Sequence, residues 1–66
     1  MIQYFQPATT ETIDLVKDRY VNAGWGIAET TYSMTEVTGL IVKWLSNPPP
    51  QIPAVSDLNL EFPHRL

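Results

Sequence analysis

Side chains able to do covalent or acid–base chemistry are sparse in this chain. The hydroxyl candidates are Ser33, Ser46, Ser56 and several threonines, His64 is the sole imidazole, and there is no cysteine. No glycine-rich phosphate cradle, histidine pair or Gly-x-Ser-x-Gly turn accompanies them. Ser33 reads as a helix cap rather than a nucleophile, because Glu36 follows it at capping-box spacing. Asp14 and Asp18 fall one helical turn apart, but Lys17 and Arg19 adjoin them and no glycine-turned loop supplies carbonyl ligands for a cation. A solvated helix face is the better reading. No enzymatic activity, metal, cofactor or small-molecule substrate is therefore expected.

Composition points toward contact with other proteins. Sixty-six residues make one small domain, whose core buries a limited share of its surface. Without cysteines, disulfides and thiolate metal sites cannot reinforce it, which leaves a partner chain as support. The net charge of −3, with only Lys17, Arg19, Lys43 and Arg65 basic, argues against nucleic acid. Charged residues make up 17% of the chain, below the roughly 25% of average soluble domains, so less of the surface is protected from association. Met1 to Gln6 lacks the basic start and apolar run of a secretory signal, and Leu40 to Val42, the longest apolar block, is far short of a membrane span. The expected location is cytoplasmic or within a virus particle.

The elements that would position an interface are read as an α+β arrangement. Its parts are two helices at about 9–23 and 33–46, one to three short strands at about 2–6, 25–31 and 58–62, and an extended proline-rich C-terminal tail. Ile2 to Gln6 suits a strand at an edge or an intermolecular pairing, since Pro7 lacks a donor. Thr9 or Thr10 can cap the first helix, Ile13, Val16, Tyr20 and Ala23 form its stripe, and Gly24 closes it in a left-handed conformation. Trp25 to Tyr32 alternates in the manner of a strand. From Ser33, the residues Met34, Val37, Leu40, Ile41, Trp44 and Leu45 share an arc of about 140° on a helical wheel, and Val42 widens it. Asn47 and the run Pro48 to Pro50 then stop the helix. Residues 1–47 would be the core and 48–66 a tail, with Leu58, Leu60 and Phe62 alternating in a short strand.

A strand, a helix, a glycine turn and a second helix opening Ser-x-x-Glu, the last piece being SMTEVTGLIVKWL, resemble the ribbon-helix-helix dimers. That resemblance covers about Ile2 to Leu45. It implies a regulator whose first strands pair across a two-fold, with Gln3 and Gln6 as groove-facing residues.

The leading functional expectation is a non-catalytic accessory or structural subunit of a larger assembly, such as a virus particle or multisubunit complex, that binds a protein partner or further copies of itself. Its contact residues would be Leu15, Trp25, Val42, Leu45, Leu58, Leu60 and Phe62, because Trp and Tyr anchor interfaces and the apolar residues exceed what one small core needs. A second expectation is a small acidic inhibitor of the kind phages direct at host proteins, presenting Glu11, Asp14 and Asp18 to a basic groove.

Overall fold

The stretch expected to be a second helix is a strand. In this computed structural model, which describes residues 1–46 and 49–66, the elements are β1 (Ile2–Pro7), α1 (Ile13–Asn22), β2 (Gly26–Ser33), β3 (Glu36–Trp44), a 3₁₀ turn (Ser56–Leu58) and β4 (His64–Arg65). The strands form one antiparallel sheet in the order β2-β3-β1-β4. Two helices with one to three strands is thus corrected to one helix against a four-stranded sheet, among the described residues.

The correction has a physical cause. Val37, Thr38, Ile41 and Val42 are β-branched, and they lose less on a pleated surface than against the preceding turn of a helix. As a strand, β3 buries Leu40, Val42 and Trp44 on one face and carries Gly39, Ile41 and Lys43 on the other. Apolar residues on both faces of a central strand imitate helical spacing. Val42, the residue that fits the helical arc worst, is fully buried.

Ser33 and Glu36 pair across a hairpin instead of forming a capping box. Met34 and Thr35 make its two-residue loop, with Met34 at φ 58°, a left-handed conformation that glycine adopts more readily. Two register shifts interrupt the β2–β3 ladder, and the one beside Thr31 is accompanied by a Thr31–Thr38 hydroxyl contact of 2.8 Å.

The first strand is internal, not an edge. It runs Ile2 opposite Trp44 to Pro7 opposite Gly39, and its other side pairs with β4. Pro7 is tolerated as the last residue of the strand, and the ladder is continued beyond it by Ala8 N–H to the carbonyl of Thr38 at 3.2 Å. Both edges of β1 are occupied within the chain and there is no second helix among the described residues, so the ribbon-helix-helix arrangement does not apply.

The helix presents Ile13, Val16 and Tyr20 to the sheet. It begins later than residue 9 because Thr9 first closes a separate turn, in which its hydroxyl accepts from Thr12 N–H at 3.3 Å and its carbonyl from Ile13 N–H at 2.9 Å. Gly24 follows the helix at φ 101°, and a Cβ there would lie 3.1 Å from the Trp44 ring.

The expected strand over 58–62 is replaced by the 3₁₀ turn, Asn59 at φ 58° and an irregular run to β4. The left-handed Asn59 breaks the alternation of Leu58, Leu60 and Phe62. This segment folds back on the helix side of the sheet, where Val55 joins the core and Leu58 and Leu60 pack against it. The expected helix stop at Asn47 and the first proline, Pro48, lie outside the described residues.

Candidate interaction surface

The two faces of the sheet differ in what covers them. On the covered face, Trp25 lies at the centre of an aromatic cluster, edge-on to Tyr4 and Tyr20 at 5.6 Å and to Trp44 at 5.1 Å. Its indole N–H, buried with it, donates to the carbonyl of Gln51 at 2.8 Å. Gln6 is the buried polar group of this face. Its amide donates to the carbonyls of Pro7 and Glu61 at 2.8 and 2.9 Å, and its Oε1 accepts from the Tyr20 hydroxyl at 2.5 Å. Burial pushes the Tyr20 phenol up to about 12. At the rim, Arg19 makes a two-pronged contact with Asp57 at 2.6 and 2.8 Å and donates to the carbonyl of Ala54 at 3.0 Å. That hydrogen bonding holds the Asp57 carboxyl below the usual carboxylate range and raises Arg19.

The opposite face is open. Register pairing places Gln3 beside Lys43, Phe5 beside Ile41 and Pro7 beside Gly39, with His64, Glu29, Thr31 and Gly26 flanking them on the outer strands. The helix and the residue 49–62 segment contact the other side, and no described element crosses this one. Phe5 and Ile41 are half-buried by their neighbours and stand outside the core cluster. The surface has little relief. A Cβ on Gly39 would collide with the Phe5 ring, and one on Gly26 would meet Lys43 Cε at 3.2 Å, so both long side chains lie flat across a glycine. This is the aromatic covering that compensates a glycine in a sheet, extended here to the aliphatic stem of a lysine. Chemically, the face offers a central apolar pair, an amide, and one charge of each sign at the border.

The residues expected to make contacts are dispersed. Trp25 and Val42 lie in the core at 3% and 0% exposure, whereas Leu15 and Leu45 are exposed at 46% and 68% on separate parts of the molecule. Leu58 and Leu60, within the tail, are half-buried against the core. Phe62 is 82% exposed and borders an apolar groove of about 100 Å³ with Ala54, Val55, Ser56 and Leu60. Phe5, Ile41 and Lys43 were not singled out as a group by spacing. Reading 36–44 with a period of two would have aligned Gly39, Ile41 and Lys43 on one side.

Among the described residues no helix is long and apolar enough to cross a membrane, and no group of three or more His, Cys, Asp or Glu side chains could hold a metal. Compared with protein-family models, curated proteins and solved structures, the chain gives no match in any of the three.

Proposed function

We infer that this chain is a non-catalytic binding module, an accessory or structural subunit that joins other protein chains in a larger assembly. The observation that carries the reading is the open face of the sheet, where Phe5 and Ile41 sit side by side on the two central strands with no described element of the fold over them. A face of this kind, low in charge and flattened over two glycines, suits a broad protein surface better than a small ligand, which needs a concave site. The polar border of Gln3, Glu29 and Lys43 supplies hydrogen bonding around an apolar centre, the usual anatomy of an interface.

The test uses a photo-crosslinking residue in place of Thr31 on the open face, compared with the same residue in place of Asp14 on the exposed side of the helix. Partner capture from the native source should occur at position 31, and Ile41→Lys should abolish it while the thermal midpoint of the chain stays within a few degrees. Equal capture at both positions, or capture indifferent to Ile41→Lys, would overturn the assignment.

A further inference from the structure

The two edges of the sheet are unequal. β4 follows Pro63 and covers one side of β1 with two residues, so that edge offers another chain little to pair with. β2 closes the other side with eight residues, Gly26–Ser33, and no described strand lies along its outer side. Native edges are commonly blunted by prolines and lysines or kept short. β2 has no proline or lysine, and its one charged residue is Glu29.

This edge carries a charge pattern that the chain itself leaves unused. The Lys43 stem crosses from β3 over Gly26, with Cγ 3.3 Å and Cε 3.2 Å from where a Cβ would stand. Gly26 belongs to the edge strand, so the ammonium, one atom beyond Cε, is delivered to the free border. Glu29 stands on the same face. The register shift between Ile27 and Glu29 drops Ala28 from the ladder and returns both Gly26 and Glu29 to the open side. Among the described residues, neither Lys43 nor Glu29 has an ion pair.

A second copy of the same strand supplies both missing partners. Laid antiparallel along β2 about a two-fold axis normal to the sheet, it keeps the faces in phase when Gly26 lies opposite its Glu29 and Ile27 opposite its Ala28. Each Lys43 ammonium then meets the Glu29 carboxylate of the other copy, and symmetry makes the contact twice. Ala28, small and exposed, lies at the axis, where bulk would obstruct. Any extended chain could share the main-chain bonds, but a cation and an anion matched reciprocally is what a two-fold copy provides. We propose that β2 is a self-pairing edge, through which two copies of this chain join their sheets into one of eight strands. Phe5 and Ile41 stay uncovered in the pair, so the pairing stands whether or not the open face binds another protein.

Charge reversal and its repair test the pairing. Sedimentation of the full chain should show a dimer that grows with concentration. Lys43→Glu or Glu29→Lys alone sets like charges together at both contacts and should weaken dimerisation about tenfold. The chain carrying both substitutions keeps its net charge and regains both contacts, so it should dimerise as the parent does. In the parent, the backbone amides of residues 26–29 should exchange with deuterium more slowly in the dimer than in the dilute monomer. Ala28→Cys should form an interchain disulfide under mild oxidation, and Leu15→Cys, on the exposed helix surface, should not. A chain that stays monomeric at millimolar concentration, a double variant no stronger than the single ones, or a dimer whose 26–29 amides gain no protection would overturn the proposal. A dimer lost on Ile41→Lys while those amides exchange freely belongs to the open face and refutes edge pairing alone.

Discussion

The Tyr20 hydroxyl donates to Gln6 Oε1 at 2.5 Å, with both side chains wholly excluded from solvent. Through the Gln6 amide, this bond joins the helix, the end of β1 and the backbone at Glu61. Tyr20→Phe leaves the Gln6 oxygen buried without its donor and should cost about 1–3 kcal/mol in urea unfolding. Gln6→Glu should cost more, because carboxylate oxygens replace the donor aimed at two carbonyls.

The same pair sets the response to alkali. Burial favours the neutral phenol and moves it from 10.0 to about 12, so the unfolded chain loses the Tyr20 proton first. The unfolded state then binds fewer protons, and stability falls as pH rises through the window from about 10 to about 12. A pH series of unfolding midpoints should show this loss in the parent and a smaller one in Tyr20→Phe.

Arg19 and Asp57 fasten an exposed segment, and water screens their contribution to global stability. Arg19→Ala should therefore leave the urea midpoint nearly unchanged while speeding proteolytic cleavage within residues 51–60 several-fold. The depressed carboxyl of Asp57 gives the sign with acid: the contribution is present at neutral pH and fades as pH falls through the carboxylate range. The cleavage rate of the parent should rise toward that of Arg19→Ala as the buffer is acidified, when read with an acid-active protease.

At the β2–β3 hairpin, Met34 occupies φ 58° with 97% of its surface exposed. It contributes no packing that a smaller residue would forfeit. Met34→Gly relieves the left-handed cost of about 1–2 kcal/mol and adds unfolded-state entropy of somewhat smaller size. The net expectation is a gain of about 0.5 kcal/mol, visible as a higher urea midpoint with an unchanged slope.

Gly39 is constrained by its neighbours on the open face. Gly39→Ala drives a methyl into the Phe5 ring and to 2.7 Å from the Gln6 carbonyl. The ring can turn aside, but the carbonyl belongs to the strand ladder. A loss of about 2 kcal/mol is expected, and adding Phe5→Ala should leave much of it unrecovered in a double-mutant comparison.

The first helix was legible because Ile13, Val16 and Tyr20 repeat at one period and Gly24 ends it with a conformation few other residues adopt. The third strand was not. Its apolar residues serve two faces, and Ser33-x-x-Glu36 has the spacing of a helix cap as well as that of a hairpin closure. Local patterning could not separate these; the cross-strand partners in β1, some forty positions away at Trp44 and Ile2, do. Trp25 was expected as a contact residue, but it is buried between two glycines that serve packing: Gly24 is where the Trp44 ring comes close and Gly26 is where Lys43 lies. The attachment of the tail was invisible for a different reason: its acceptors are backbone carbonyls, which every residue type carries.

The position of β1 between β3 and β4 has a consequence for how the chain acquires its shape during synthesis. The strand made first has neighbours that are made much later, at residues 39–44 and 64–65. Its apolar side chains must wait unpaired while the helix forms beside them, until β3 follows and closes a three-stranded sheet with β2. The sheet is thus assembled from its middle outward and late, and until β3 is made Ile2, Tyr4 and Phe5 have no strand to pair with.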